Sequence, residues 1–175
     1  LFVQTELVRA QQAILATRRP RSGGEKPPWM LHVMTVHGTA AGEVSYETSR
    51  AAFLGRGRTV ADPIAMHRAA LTDTEGSVLD PIVAIRGRVV LEPDDSARFH
   101  LITGVTETRD GAMGLVEKYR ERHAADRVLE LSWTHSQVVQ RRLGASNLDT
   151  QLYERLASSV LYGGATLRAP RSLIA

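Results

Sequence analysis

Short runs that mix apolar and polar residues predict β-strands in the first part of the chain. The runs at 2–8, 12–18 and 29–37 have the length and composition of strands. Residues 20–28 combine three prolines with two glycines and are therefore predicted to form a loop. A further strand is predicted at 43–48, where Val44 and Tyr46 share one face because side chains alternate along a strand.

Two local signals lie between residues 62 and 103. The runs 82–91 and 97–103 flank Glu92-Pro93-Asp94-Asp95, where Pro93 suits the second position of a type I turn, so the pattern predicts an antiparallel hairpin. Upstream, Asp62-Pro63 predicts a short helix through Leu71, with Asp62 as its N-cap and Pro63 at the first helical position.

After Arg109 the apolar period changes from two residues to about 3.6. This change predicts helices at 110–122, 124–143 and 148–162, with Gly144 ending the second helix, Ser146 or Asn147 capping the third, and 163–164 stopping it. Strands followed by helices are typical of an α+β fold. We therefore predict two parts, a sheet domain over 1–108 and a helical connector over 109–175, which the family resemblance described below implies to be a β-sandwich portion and a helical linker.

The composition is that of a globular domain, and it excludes several classes of site. The 175 residues are 43% hydrophobic and 23% charged, and no run approaches the ~20 apolar residues of a membrane-spanning helix. The absence of cysteine excludes a disulfide framework and a thiolate nucleophile. Since strand-like residues begin directly at Leu1, we interpret the chain as a fragment.

The net charge of +3 comes from one short cationic cluster within residues 1–30. Nucleic-acid binders concentrate Lys and Arg into a stripe, often with interleaved aromatics, and this pattern is missing. We predict no nucleic-acid partner and no membrane contact by this segment.

No self-sufficient active site is apparent. His32 and His37 lie five apart on one predicted strand, so they face opposite sides and cannot share a metal ion. Neither an HExxH motif nor a GxSxG elbow occurs, and Asp62 and Asp80 are interpreted as cap and turn residues. The sequence predicts neither catalytic nor metal-binding residues, and no cofactor.

The best functional candidate is the loop Gly55-Arg56-Gly57-Arg58. Its glycines allow close backbone approach, and its guanidiniums offer forked donors to phosphate, carboxylate or sugar hydroxyls. The alternative interpretation is a surface turn with solvated arginines. Trp29 and Trp133 could stack on a sugar ring, but Trp133 lies on an apolar helical stripe and is predicted to belong to the core.

Several motifs together resemble the cyclic β-1,2-glucan synthases and the related inverting β-glucan phosphorylases (glycoside hydrolase family 94, formerly glycosyltransferase family 36). The likeness spans nearly the whole chain, in the family's motif order. The motifs are Phe2-Val3-Gln4-Thr5-Glu6, Ala16-Thr17-Arg18-Arg19-Pro20-Arg21, Tyr46-Glu47-Thr48-Ser49-Arg50, Phe53-Leu54-Gly55-Arg56-Gly57-Arg58, Leu79-Asp80-Pro81-Ile82, Glu117-Lys118-Tyr119-Arg120 and Trp133-Thr134-His135-Ser136-Gln137.

The resemblance implies a fold and a parent activity. It implies the later part of a large antiparallel sandwich of the galactose mutarotase-like supersandwich type, followed by about three linker helices and then an (α/α)₆ catalytic barrel outside the chain. The implied chemistry is transfer or phosphorolysis at the anomeric carbon of a β-glucan, with inorganic phosphate as a co-substrate of the parent. No catalytic residue of the family maps here, so the fragment alone is expected to be inactive.

The resemblance also implies partners and a location. The expected partners are an oligosaccharide or β-glucan bound by the parent, missing upstream strands and the downstream barrel, with a homodimer left open. The implied location is a cytoplasmic segment of a parent whose attachment to the inner membrane is open. A stand-alone carbohydrate-binding or adaptor module remains the alternative from a different class.

Overall fold

The structure, a computed structural model, describes residues 2–39 and 41–162. It confirms strands followed by helices. The strands are β1 (Val3–Val8), β2 (Ala13–Arg18), β3 (Trp29–His37), β4 (Ser45–Ser49), β5 (Gly76–Val78), β6 (Pro81–Arg86) and β7 (Arg98–Thr106), and the helices are α1 (Arg50–Leu54), α2 (Arg109–Arg120), α3 (Arg122–Leu143) and α4 (Asn147–Tyr162). The chain divides into two compact units, Leu1–Ala125 and Asp126–Ala175.

The first unit is built on a five-stranded antiparallel sheet with the order β5-β1-β2-β3-β7. The connection between β1 and β2 is a 3₁₀ turn at Arg9–Gln11, and Gln12 adopts a left-handed conformation at its end. The predicted strands at 2–8, 12–18 and 29–37 are confirmed. The alternation of their side chains creates two apolar faces.

One face of this sheet packs against α2. Ala13 and Leu15 of β2 and Leu31 and Val33 of β3 are fully buried together with Ala112 and Val116 of the helix. The helix begins at Thr108, whose hydroxyl accepts from Gly111 N–H at 3.0 Å. Arg109 binds the carboxylate of Glu6 through two donors, which lowers the pKa of Glu6.

The other face packs against a two-stranded antiparallel sheet of β4 and β6. Tyr46 of β4 is buried against Leu7 and Ile14, with Val44 packed beside it. Val44 and Tyr46 therefore contribute to one cluster, as the two-residue period predicts. Helix, five-stranded sheet and two-stranded sheet form three layers.

The predicted hairpin over 82–103 is wrong. The two runs belong to different sheets, because β6 pairs with β4 whereas β7 pairs with β3 along its whole length. The turn itself exists, since Asp95 N–H donates to Glu92 carbonyl at 3.0 Å. Strand pairing is decided by long-range packing, and a local turn signal does not reveal it.

The predicted helix at 62–71 is also corrected. Only a 3₁₀ turn at Ile64–His67 forms, and its N-cap is Pro63 without a side-chain cap. Asp62 instead binds Arg58 and His67. Because its carboxylate has these partners, it does not cap the turn.

The end of α3 and the start of α4 lie where the sequence predicts them. Gly144 ends α3 in a left-handed conformation, and the hydroxyl of Ser146 accepts from Asp149 N–H at 3.2 Å at the start of α4. The predicted stop at 163–164 lies outside the described residues. No helix among residues 2–39 and 41–162 is long and apolar enough to cross a membrane.

Trp133 is not a core residue, contrary to the prediction. Its side chain is 68% exposed, and its neighbour Leu129 is 70% exposed. A helical apolar stripe predicts burial only when another element covers it, and no described element covers this part of α3.

We therefore expect Trp133→Ala to change the free energy of unfolding of this chain by no more than about 0.5 kcal/mol, as is usual for surface substitutions. Urea unfolding of both proteins, followed by circular dichroism, measures the difference. A loss of about 3–5 kcal/mol, typical of an emptied aromatic core site, would contradict this expectation.

The loop at 20–28 is tied to β2 by one carboxylate. Glu25 accepts from both terminal nitrogens of Arg18 and from Arg21 N–H. The Arg18 guanidinium, followed by Arg21 N–H, lowers the pKa of Glu25 to about 2. Because this value lies below the ordinary pKa of 4.5, the tie is complete above about pH 4.5 and is lost as the pH falls through about 2.

We expect Arg18→Ala to raise the pKa of Glu25 toward its ordinary value, since the largest stabilising contact of the carboxylate is removed. A carboxyl-carbon NMR titration of the two proteins measures this change. Arg19→Ala, which removes a neighbouring arginine that does not bind Glu25, is the control. An identical Glu25 titration in Arg18→Ala and the unsubstituted chain would contradict the role assigned to Arg18.

Candidate functional site

A buried carboxylate, that of Glu47, stabilises the end of β4, just before the helix that leads into the candidate loop. Glu47 is 1% exposed, and its Oε1 accepts from Thr48 N–H at 3.0 Å and from Ser49 N–H at 2.9 Å. Its Oε2 accepts from the hydroxyl of Thr72. The carboxylate therefore joins the end of β4 to the segment around Thr72.

Helix α1 starts directly after this junction. The hydroxyl of Ser49 accepts from Ala52 N–H at 3.3 Å, which makes Ser49 the N-cap. Arg50 N–H donates to Asp80 carbonyl at 3.0 Å, and the two side chains form an exposed ion pair. The Tyr-Glu-Thr-Ser-Arg motif thus orients the helix that leads into the loop, and Asp80 serves as a structural residue.

Gly55 ends α1 at a position that only glycine fits. Its φ is +80°, and a Cβ at this position would lie 2.8 Å from Cγ2 of Ile64. Close packing of the loop on the Ile64 turn therefore requires the missing side chain. Gly57 also has a positive φ of +73°, but a Cβ there would meet no neighbouring atom within 4 Å.

Arg56 lies between these two glycines and is exposed. Among the described residues its guanidinium forms neither a hydrogen bond nor an ion pair. Its forked donors are therefore available to a ligand, which is the property that the sequence predicted for the loop.

Arg58, in contrast, is already engaged. Its Nη1 donates to Asp62 Oδ2 at 2.8 Å, and Asp62 Oδ1 lies 2.6 Å from Nε2 of His67. His67 and Arg58 together lower the pKa of Asp62. The four predicted site residues are adjacent in one turn, and among the described residues the Arg56 guanidinium has no partner whereas that of Arg58 has one.

The charged side chains of this loop are Arg56, Arg58 and Asp62, which together give one excess positive charge. Both carboxylate oxygens of Asp62 are held by Arg58 and His67. Among the described residues, Arg56 is therefore the charged side chain of the loop whose hydrogen-bonding groups have no partner.

The remaining candidate groups form no second site. His32 Nδ1 lies 2.8 Å from the hydroxyl of Thr103, and burial lowers the pKa of His32. His37 packs against His100, with 5.1 Å between the ring centroids, on the other face of the sheet. In the part of the chain that the structure describes, no three His, Asp or Glu side chains are grouped to hold a metal ion.

A match to a known protein family shows which family this chain belongs to. The model of "Glycosyl hydrolase 94, supersandwich domain" matches residues 1–122. The chain belongs to this family. The glycosyl hydrolase 94 match covers the seven strands found among the described residues, together with α2, so it includes the candidate loop and the residues that support it.

The chain is also similar to the cyclic beta-(1,2)-glucan synthase NdvB of Rhizobium meliloti (strain 1021). The two sequences are 30% identical over 170 residues, which is 97% of this chain and 6% of the relative. The chain thus spans a small part of the length of this curated relative. The predicted family is confirmed, as is the α+β fold with a sandwich followed by helices.

Sequence reasoning missed the supporting residues of this glycosyl hydrolase 94 loop. Glu47 lies among the buried side chains of β4, and an acidic residue within a strand of otherwise buried residues is a signal of an internal hydrogen-bonded carboxylate. His67 and Thr72 had no comparable signal, because their contacts with Asp62 and Glu47 depend on the path of a loop.

Proposed function

We propose that this chain is the scaffold and carbohydrate-binding region of a larger β-glucan-active enzyme, either a cyclic β-1,2-glucan synthase-like glycosyltransferase or a related phosphorylase. The observation that carries this proposal is the 30% identity to a glucan synthase over 97% of the chain. The family match over 1–122 supports the same class of parent.

The proposed chemistry takes place on an (α/α)₆ barrel outside residues 1–175. A carboxylic acid of the barrel protonates the leaving glycosidic oxygen, while phosphate attacks the anomeric carbon from the opposite face and inverts its configuration. With phosphate as nucleophile a single carboxylic acid is sufficient, unlike the carboxylate pair of inverting hydrolases.

Four carboxylates of this chain support a scaffold role, because other groups of the chain hold each of them. Glu47, Glu6 and Glu25 accept internal hydrogen bonds, and Asp62 is held by Arg58 and His67. Arg56 is the group that remains available in the candidate loop. We propose that its guanidinium donates to sugar hydroxyls or to phosphate in the parent enzyme.

The test compares the parent enzyme with the purified 175-residue chain. We expect the parent to release glucose 1-phosphate from β-1,2-glucan and phosphate, or to transfer glucosyl units to a glucan acceptor, and we expect the chain alone to do neither. Activity of the isolated chain above a no-protein control would contradict the scaffold role. Inactivity of a folded parent on β-glucans would favour a carbohydrate-binding or adaptor module.

A further inference from the structure

A polar pocket of about 470 Å³ lies at the end of the two-stranded sheet where β4 begins and β6 ends. Three segments line it: the loop before β4, the residues around the end of β6, and the chain just before Leu71. The lining includes Gly42, Glu43, Ser45, Arg86, Gly87 and Arg88. The volume lies within the ~300–1,000 Å³ that is typical of pockets for small ligands.

Hydrogen bonds within the chain hold the three segments of this pocket together. Ala41 N–H donates to the carbonyl of Arg88 at 2.9 Å, which ties the loop before β4 to the end of β6. The buried hydroxyl of Ser45 accepts from Leu71 N–H at 3.0 Å, which fixes the third segment against β4. The walls are therefore formed in advance, and a ligand that enters does not have to order them.

Two of the three ionisable side chains in the lining are available to a ligand. Arg86 is engaged, because it donates to the carbonyls of Ala65 at 2.6 Å and Arg68 at 2.9 Å. Glu43 and Arg88 are exposed, and among the described residues their side chains form neither a hydrogen bond nor an ion pair. A carboxylate and a guanidinium thus line one pocket without pairing with each other.

The chemistry of these two groups selects the ligand. Their charges cancel, so the pair does not favour an anion such as phosphate. A carboxylate only accepts hydrogen bonds and a guanidinium only donates them, so a ligand that bridges the two must offer donors and acceptors together. The hydroxyls of a sugar are neutral and do both. The choice of a glucan among such ligands rests on the function proposed above for the parent.

We propose that this pocket binds a glucosyl unit of a β-glucan, with Glu43 accepting from its hydroxyls and Arg88 donating to them. The site is distinct from the candidate loop, since residues 55–58 do not line the pocket. The 3₁₀ turn at Ile64–His67 contacts both sites, because Gly55 packs on Ile64 and Arg86 donates to the carbonyl of Ala65. The chain would thus hold a glucan at two separate places.

An NMR titration of the 175-residue chain with a linear β-1,2-glucan oligosaccharide tests the proposal. We expect saturable shifts of the amide signals of Gly42 and Gly87, which line the pocket, whereas Gly57 reports separately on the candidate loop. Arg88→Ala and Glu43→Ala should each weaken the binding seen at Gly42 by about tenfold or more, because a charge-assisted hydrogen bond is lost. Unchanged affinity in both variants would overturn the proposal.

Matched controls separate contact from net charge. Glu92→Ala and Arg19→Ala remove exposed groups of the same charges outside the pocket lining, and we expect both to bind the oligosaccharide as the unsubstituted chain does. Circular dichroism should give all four variants the original unfolding midpoint, since the four side chains are exposed. Equal losses of affinity in the control and pocket variants would overturn the assignment of the pocket.

Two further outcomes identify the ligand and separate this inference from the proposed function. Shifts of Gly42 with the free zwitterion alanine, but not with the oligosaccharide, would overturn the glucan assignment. A parent that is inactive on β-glucans while this pocket still binds the oligosaccharide would overturn the proposed function and support the pocket. An active parent whose Arg88→Ala and Glu43→Ala variants bind the oligosaccharide normally would overturn the pocket alone.

Discussion

Arg56→Ala in the parent enzyme is expected to lower kcat/KM for the glucan by about tenfold to a hundredfold, with an unchanged unfolding midpoint. A lost charge-assisted hydrogen bond costs about 1.5–3 kcal/mol, which corresponds to this range. Stability should not change, because the Arg56 side chain is exposed and binds no described residue.

Three further variants separate binding from folding. Arg56→Lys keeps the charge but loses the forked donors, so we expect it to recover only part of the activity. Arg58→Ala removes the partner of Asp62 and is expected to affect both the loop and the activity. Arg19→Ala is the control for the loss of one exposed cation. If Arg56→Ala and Arg58→Ala both retain the original kcat/KM, the loop is only a turn.

Glu47→Ala is expected to destabilise the chain by about 2–5 kcal/mol. The substitution removes the acceptor of two backbone N–H groups and of the Thr72 hydroxyl, and each buried donor left unpaired costs about 1–3 kcal/mol. Glu47→Gln retains an oxygen that can accept from Thr48 and Ser49, so its loss should be smaller.

Chemical denaturation of the 175-residue chain measures these differences. Glu43→Ala is the matched control, because Glu43 is an exposed acidic residue just before the same strand. We expect that control to lie within about 0.5 kcal/mol of the unsubstituted chain. A similar stability of Glu47→Ala and Glu43→Ala would show that the buried carboxylate does not hold the junction of β4 and α1.

The two predictions give different roles to two residues of the candidate site. Glu47 is expected to stabilise the fold, and Arg56 is expected to contact the ligand. Glu47 is buried and binds three internal donors, whereas Arg56 is exposed and binds none of the described residues. Loss of the support should therefore appear as a change in stability, and loss of the contact as a change in activity. Gly55 connects them, because its fit against Ile64 sets where Arg56 leaves the helix.

Elements whose causes are local could be predicted from the amino-acid sequence. β3 spans Trp29–His37 as predicted, since proline-rich 20–28 precedes it and Gly38 follows it. Gly144 ends α3 because it adopts a left-handed conformation, and Ser146 caps the start of α4 because its hydroxyl accepts from Asp149 N–H. Both effects act within one helical turn. The grouping of Arg56 with two glycines was equally visible, because the three residues are adjacent.

The pairing of the strands and the burial of apolar helical faces could not be predicted in this way, because both depend on long-range packing. The segments 82–91 and 97–103 flank a real turn, yet β6 and β7 join different sheets because each finds its partner more than thirty residues away. Trp133 lies on an apolar stripe and is nevertheless exposed, since burial requires a covering element. The contacts of Glu47 with Thr72 and of Asp62 with His67 likewise depend on how loops fold back, and local periodicity carries no information about such long-range packing.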